Sequence, residues 1–197
     1  MSVMTDRDHA SAGVKLTYDD YLLFPEDGMR HELIDGEHYV TPAPNIRHQE
    51  ISGRIHLIIG SWLETHPIGR VFYAPLDVLF SRFDVVEPDL LYMSHERARQ
   101  VVTEQFIAGA PELAIEIGSP STRKRDETIK LRLYERFGVV EYWVVDPTRD
   151  VIRIYRRGSD AFGPPVALSR AADDTLRTDL LPGLEMPLAR IFAATTS

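Results

Sequence analysis

The sequence predicts one α/β domain built around a central, mixed β-sheet with flanking α-helices. Three observations support this prediction. Helical and extended segments are interleaved, with extended ones in the majority; no linker divides the 197 residues; and the chain is 44% hydrophobic and 26% charged, as ordinary globular proteins are. A chain of this length can bury one full core. We therefore expect a domain over residues 15–197, preceded by a disordered lead over residues 1–14.

The composition narrows the possible functions. A net charge of -8 argues against general coating of nucleic acid, which needs many Lys and Arg, but permits a small basic groove. The absence of cysteine excludes disulfides, zinc–thiolate sites and thiol nucleophiles, and it suits a cytoplasmic protein. The polar first residues and the lack of a long apolar window predict neither a secretory signal nor a membrane span. We expect a cytoplasmic protein that does not insert into membranes.

Three elements near the start of the chain follow from caps and periodicity. A short helix follows the cap residue Thr17 and stops at Pro25. The segment "HELIDGEHYV" predicts a β-hairpin, because Asp35 and Gly36 form a turn signal between two extended runs. A long helix begins after the cap Asn45, since the apolar residues that follow it recur at the helical period.

The rest of the chain predicts strands separated by short helices. "RVFYAPLDVLF" and "VVEPDLLYM" are each interpreted as one extended segment, and "SHERARQVV" as a short helix capped by Ser94. "LAIEIG" is apolar on both faces, as a central strand covered by helices is. A helix and a buried strand over Val139–Val145 follow. "VIRIYRRG" predicts a half-exposed strand, and "LRTDLLPGLEMPLARIF" predicts a strand, a turn and a closing helix.

Two carboxylates stand in apolar surroundings. Glu116 lies in the middle of "LAIEIG", and Asp89 follows Pro88 and precedes the apolar run "LLYM". An isolated carboxylate is costly to bury, so it either takes up a proton or meets a cation. A hard divalent ion bound through oxygen ligands accounts for both acids, with the backbone carbonyl of Ile117 as a further ligand.

The helix after Glu116 predicts a cation for the same site. Thr122, Asp126, Lys130 and Tyr134 recur every four residues and therefore share a face. The strand rises roughly 10 Å from Glu116 to its end, and the helix returns roughly 12 Å between Thr122 and Lys130. Helical side chains lean towards the N-terminus, so Lys130 can reach the carboxylate. Two acids, a metal ion and an ammonium group suit phosphodiester cleavage.

Several motifs together resemble a known family. "VEPDLLY", "LAIEIGSPST", "GVVEYWVVDP", "HELIDGE" and "LPGLEMPL" resemble the Uma-two family, a branch of the PD-(D/E)XK nuclease superfamily, over about residues 17–193. The resemblance implies a restriction-endonuclease-like fold. It also implies a nuclease site that depends on Mg²⁺, with Mn²⁺ as an alternative, and is formed by Asp89, Glu116 and Lys130 with Glu32 as an additional acid.

One position departs from the general motif of that superfamily. A lysine is expected two residues after Glu116, where this chain has Gly118. The resemblance implies that in this family the lysine has moved into the following helix, where Lys130 takes its role. The helical geometry independently supports this role for Lys130. We therefore expect the ammonium group to reach the site from a helix.

Further residues are candidates for substrate contact, and each has an ordinary structural alternative. The basic run at the helix start suits phosphate contact or a solvated turn. His48 either approaches the site or is simply hydrogen-bonded, and Tyr134 either lines the site or packs in the core. Read alone, Asp89 could begin a strand, Glu116 could pair with a buried arginine, Lys130 could be solvated and Glu32 could be an exposed hairpin acid. The candidates are Arg123, Lys124, Arg125, Tyr134 and His48.

Two classes of function remain open. The first is a divalent-metal-dependent endonuclease acting on DNA, in which Asp89 and Glu116 bind the ion and Lys130 positions the attacking water. The second is a non-catalytic binding or regulatory module that keeps the nuclease fold, which the negative net charge favours. A sugar hydrolase with paired carboxylates explains the acids but leaves Lys130 without a role. A homodimer would suit a protein that cuts two strands.

Overall fold

The computed structural model describes residues 14–119 and 122–193, so the predicted disordered lead lies, except for residue 14, outside the described residues. Helices and strands are labelled here in chain order. They are α1 (Tyr18–Tyr21), β1 (Arg30–Ile34), β2 (Glu37–Thr41), α2 (Ile46–Thr65), β3 (Gly69–Tyr73), β4 (Val78–Ser81), β5 (Asp84–Val86), β6 (Leu90–Ser94), α3 (His95–Val101), β7 (Leu113–Ile117), α4 (Arg123–Arg125), α5 (Leu131–Arg136), β8 (Glu141–Asp146), β9 (Val151–Arg156), β10 (Val166–Ser169), β11 (Thr175–Leu176), β12 (Met186–Pro187) and α6 (Leu188–Ile191).

A six-stranded mixed sheet forms the centre of the molecule, in the order β10-β9-β8-β7-β6-β3. β7 and β8 run parallel, and the other neighbours are antiparallel. Every residue of β7 and β8 is buried, as expected for a central parallel pair covered on both faces. The predicted α/β fold with a mixed central sheet and flanking helices is confirmed.

The alternation of side chains along β7 decides where the site lies. Ile115 and Ile117 pack into the core that lies under α2, whereas Ala114 packs with residues of α5. Glu116 has the same parity as Ala114, so its side chain leaves the sheet towards the helix that follows β7. The acid is therefore buried between the sheet and a helix.

A second sheet of four strands, in the order β2-β1-β5-β4, was not predicted. The segment "RVFYAPLDVLF" divides into β3 and β4, and "VVEPDLLYM" divides into β5 and β6, with the two halves of each segment in different sheets. Pro75 and Pro88 lie at the two breaks, where proline lacks the N–H that a continuous strand needs. The chain crosses from the small sheet to the large one at Asp89, which places this residue at their junction.

The predicted hairpin and the two capped helices α2 and α3 are confirmed. Asp35 and Gly36 both have positive φ, as a tight two-residue hairpin turn requires. The Asn45 side chain accepts the His48 N–H at 2.9 Å, and the Ser94 side chain caps α3 in the same way. The first helix is shorter than predicted and ends at Tyr21.

The helix after β7 differs from the regular one that was predicted. A π-helical turn over Asp126–Lys130 lies between α4 and α5. The hydroxyl of Tyr142 in β8 donates to the Asp126 carbonyl at 3.0 Å, so a neighbouring strand supports this turn. Asp126, Lys130 and Tyr134 are nevertheless all buried, so the predicted inward face is retained. π-turns inside helices often mark functional sites.

The end of the chain has more strands than the one that was predicted there. β10 pairs with β9 at the edge of the large sheet, and β11 pairs with β12 ahead of the short helix α6. The predicted strand over Val139–Val145 begins two residues later and ends one residue later, over Glu141–Asp146. Among the residues described, no helix has both the length and the apolar character needed to cross a bilayer.

Candidate active site

A cavity of about 360 Å³ opens where β7, the start of α2 and the helix after β7 meet. Its walls include the two predicted metal-binding acids, the predicted lysine and part of the predicted substrate-binding set. This space is called the catalytic cavity below. The residues of the sequence prediction that line it are Asp89, Glu116, Ile117, Lys130, Arg125 and His48.

Lys130 lies at the centre of the charged side chains. Its side chain is only 1% exposed, and Nζ lies 2.7 Å from Oε1 of Glu32 and 2.8 Å from Oε1 of Glu116. Burial alone would lower the pKa of Lys130, but the carboxylates of Glu116, Glu32 and Asp126 outweigh burial and raise the pKa above its ordinary value. The lysine is therefore a charged group in the interior, and the solvated alternative is wrong.

Glu116 accepts two hydrogen bonds through the same oxygen. Lys130 Nζ donates to Oε1 at 2.8 Å, and the Tyr134 hydroxyl donates to Oε1 at 2.6 Å. The cationic partner of Glu116 is thus Lys130, and the alternative of a salt bridge to a buried arginine is wrong. Burial raises the pKa of Glu116 to about 8; the Lys130 charge opposes this rise, and the Asp89 charge adds to it. Tyr134 is fully buried beneath the acid, in the core.

Glu32 is fully buried and is not the exposed hairpin acid that the sequence had left open. Its Oε1 accepts the Glu87 backbone N–H at 3.1 Å as well as facing Lys130. Its Oε2 lies 3.5 Å from Nη2 of Arg125 and makes no hydrogen bond to any described residue. A buried carboxylate oxygen without a hydrogen bond is unusual and marks a place for an additional polar partner.

Asp89 is held by donors on both oxygens. Oδ1 accepts from Nη1 of Arg30 at 2.9 Å, and Oδ2 accepts the Ile117 N–H at 2.7 Å and lies 3.1 Å from Nε2 of His48. Burial would raise the pKa of Asp89, but the His48 hydrogen bond, the Arg30 charge and the Ile117 N–H together lower it to about 2. Asp89 is therefore an ionised acid beside the strand that carries Glu116.

Arg30 was missed by the sequence prediction. Its guanidinium contacts Asp89 and also donates to the Glu87 carbonyl at 3.0 Å. The available signal was the strand period, because Arg30 precedes Glu32 by two residues in β1 and both side chains leave the same face. The nearby acid Glu87 was missed as well, and burial raises its pKa to about 7.

The basic run is divided by the structure. Arg125 lines the catalytic cavity, donates to Thr41 Oγ1 at 2.5 Å and faces Glu32. Arg123 instead pairs with Asp146 at 2.6 Å, and Lys124 is exposed outside the cavity walls. Of the three predicted phosphate contacts, the structure brings only Arg125 to the site.

The donor set can be compared with the needs of magnesium. Across residues 14–119 and 122–193, no group of three or more His, Cys, Asp or Glu side chains is arranged to hold a metal ion. Magnesium, however, binds through one or two carboxylates and keeps several waters. Glu32 is fully buried and does not line the catalytic cavity, but Asp89 and Glu116 both line it. These hard oxygen donors fit Mg²⁺ by their chemistry.

The mixed sheet with flanking helices belongs to the class of restriction-endonuclease-like folds. The chain belongs to the Uma2 family, whose model is described as "Putative restriction endonuclease" and matches residues 18–189. A solved structure described as "a putative nuclease belonging to DUF820", from Anabaena variabilis ATCC 29413, is similar with a TM-score of 0.75 and 22% identity over 90% of this chain and 97% of that chain. No curated protein matches the chain.

Proposed function

We propose that this protein is a magnesium-dependent endonuclease that hydrolyses phosphodiester bonds in DNA, with manganese as an alternative ion. The observation that carries the proposal is the buried ammonium group of Lys130, held between Glu32 and Glu116 at a cavity that Asp89 also lines. The family description supports a nuclease. The specific ion, the DNA substrate and the internal position of the cut are proposals.

Each residue has a defined part in the proposed reaction. Asp89 and Glu116, with the Ile117 carbonyl, would hold the ion, which would polarise a phosphoryl oxygen and lower the pKa of a bound water. Lys130 would orient the attacking water and offset the negative charge that develops on the phosphorus-bound oxygens. Glu32 fixes the position of Lys130 from the opposite side and belongs to the site through this contact.

The charges around the catalytic cavity support binding of a polyanion. The protein as a whole carries a net charge of -8, which is unfavourable for DNA binding. At the cavity, however, four cationic side chains face three acidic ones, so the local charge balance is more favourable for phosphate than that of the whole protein. The cationic residues lining the cavity are Arg30, Arg47, Arg125 and Lys130, and the acidic ones are Asp89, Glu116 and Asp126.

A non-catalytic binding module is the second candidate. One observation favours it: both oxygens of Asp89 already accept from protein groups, namely Arg30 and the Ile117 N–H. An ion at Asp89 would have to share these oxygens with the protein donors. In this alternative the same cavity would bind a phosphate chain without cutting it.

Cleavage of circular DNA separates the two candidates. We expect the purified protein to linearise or nick closed circular DNA, single-stranded or double-stranded, in MgCl₂ or MnCl₂ and to leave it intact in EDTA. Because circles have no ends, any cut is endonucleolytic. Intact circles under every metal condition would favour the binding module. Light scattering in the same buffer would test the homodimer that cutting of two strands would favour.

The proposed site also predicts a pH dependence of metal binding. Burial raises the pKa of Glu116 to about 8, so towards lower pH a proton competes with the ion for this carboxylate. Calorimetric titration with Mn²⁺ should therefore show an affinity that increases between pH 6 and 8, by up to roughly tenfold per pH unit. The heat should also vary with the ionisation enthalpy of the buffer, because a proton is released. An affinity that is constant over this range would contradict the assignment of Glu116 as a ligand.

A further inference from the structure

A second cavity, of about 620 Å³, adjoins the catalytic cavity. Its volume falls within the range typical of small-ligand sites. The two cavities share a wall made by the end of the hairpin, the start of α2 and the junction of the two sheets. The shared residues are Arg30, Pro42, Ala43, Pro44, His48 and Asp89. A polynucleotide strand bound in the catalytic cavity would therefore extend directly into the second cavity.

One face of α2 forms a wall of the second cavity. Gln49, Ser52, Gly53 and His56 follow the helical spacing and line the cavity, whereas the isoleucine face of the same helix packs into the core. A Cβ added at Gly53 would meet no atom within 4 Å. Glycine in a helix interior costs stability relative to alanine, so packing does not account for this residue. It leaves the wall open.

An exposed aromatic ring next to this face of α2 also lines the cavity. Tyr73, the last residue of β3, is 61% exposed and lines the cavity. Its ring packs against the edge of the His56 ring, with centroids 4.7 Å apart and planes at 73°. The histidine fixes the orientation of the ring while leaving most of its surface open. Rigid exposed aromatic rings are the surfaces on which unpaired bases stack in single-strand-binding proteins.

The two cavities differ in the charged side chains that line them. The second cavity is lined by one basic side chain, Arg30, and two acidic ones, Glu87 and Asp89, so acidic side chains outnumber basic ones there. Arg47, Arg125 and Lys130 line only the catalytic cavity. A phosphate is therefore attracted to the catalytic cavity, and an uncharged group is better suited to the second one.

We infer that the second cavity binds an unpaired nucleobase next to the scissile phosphate, with Tyr73 as its stacking surface. The substrate class is accordingly DNA that is single-stranded or locally unpaired at the cut. This inference rests on the proposed nuclease function, because the position of the base is defined relative to the phosphate in the catalytic cavity. Tyr73, His56 and Gly53 then determine specificity and take no part in the chemistry.

Binding measured without cleavage tests the inference. Fluorescence anisotropy in EDTA would follow a labelled single-stranded oligonucleotide and the same sequence in a duplex. We expect the wild type to bind the single strand more tightly, and Tyr73→Ala to weaken that binding about tenfold, as loss of one stacking contact does. Tyr73→Phe should retain binding, because the ring is kept. Leu57→Ala is the matched control, since Leu57 is exposed on α2 and lines neither cavity.

A substitution at Gly53 tests the open wall independently. Gly53→Leu should weaken single-strand binding at least as much as Tyr73→Ala, because the side chain enters the cavity. It should not lower the melting temperature, since leucine favours a helix more than glycine does and its Cβ meets open space. Wild-type binding by both variants, equal losses on single strand and duplex, or no single-strand binding by the wild type would overturn the inference.

The outcomes also distinguish this inference from the nuclease proposal. Metal-dependent cleavage that requires Lys130 but is unaffected by Tyr73→Ala and Gly53→Leu would remove the base site and leave the nuclease proposal intact. Single-strand binding that depends on Tyr73, without cleavage in any metal, would retain the base site as part of a binding module.

Discussion

Lys130→Met is expected to reduce metal-dependent DNA cleavage by at least about a hundredfold, the loss typical of removing one preorganised group that stabilises developing charge. The same substitution leaves Glu32 and Glu116 buried without the ammonium group that both contact. Removing one partner of a buried ion pair costs about 3–5 kcal/mol. A lower free energy of unfolding, measured with urea, should therefore accompany the lost activity.

A second variant separates chemistry from stability. In Lys130→Met combined with Glu32→Gln, the unpaired charge of Glu32 is removed, and Glu116 can hold a proton because its pKa is raised to about 8. Much of the lost stability should return, since replacing both partners of a buried pair is far less costly than removing one. Cleavage should not return, because the ammonium group is still missing.

Lys124→Ala is the matched control for these variants. Lys124 lies on the same helical segment but is exposed outside the catalytic cavity. Its substitution should change the free energy of unfolding by no more than about 0.5 kcal/mol. It should leave the rate of DNA cleavage close to that of the wild type. If Lys130→Met folded normally and cut DNA at the wild-type rate, the proposed role of this lysine would be wrong.

The meeting of Lys130 and Glu116 could be anticipated because it depends on local geometry. The rise of a strand and the return of the helix that follows it are fixed by repeat distances, and only a short turn lies between them. The π-turn over Asp126–Lys130 could not be anticipated in this way. It is supported by the Tyr142 hydroxyl from β8, a tertiary contact that leaves no periodic signal in the helix itself.

The contacts of Asp89 could not be predicted from the sequence, because they join residues that are far apart in the chain. Its contact with Arg30 joins positions 59 apart in the chain and depends on β1 and β5 pairing in the small sheet. The sequence pattern predicts that a strand exists, but the choice of strand neighbours is a property of the assembled sheets. Pro75 and Pro88 are a sequence signal for this division, since proline interrupts a strand ladder, although each segment is predicted above as one continuous strand.

Edge strand β10 was missed for a related reason. Its four residues include two exposed and two half-buried positions, so no apolar alternation distinguishes it from a loop. Central strands such as β7 are recognisable because both faces must be apolar. That same rule made Glu116 conspicuous, since a carboxylate in such a strand calls for a specific partner.

Asp89→Asn is expected to weaken Mn²⁺ binding by more than the roughly 10- to 100-fold that loss of a mere supporting group costs. The substitution removes the charge of a proposed ligand and keeps its size. Asparagine has one acceptor oxygen, so it cannot satisfy both Arg30 on one side and the Ile117 N–H on the other. Cleavage in MgCl₂ should fall with the loss of metal affinity, and calorimetric titration would measure that affinity.

Asp84→Asn is the matched control, because it separates the loss of a metal ligand from the disturbance of a buried hydrogen-bond acceptor. Asp84 is also buried and also accepts from several groups, including Arg136 and the Asp35 N–H, but it lines neither cavity. Both variants should lower the free energy of unfolding, because each disturbs a buried acceptor. Only Asp89→Asn should change metal affinity and cleavage. If the two variants bound Mn²⁺ equally well, Asp89 would be a structural acid held by Arg30 and His48, and the non-catalytic module would become the better account of this fold.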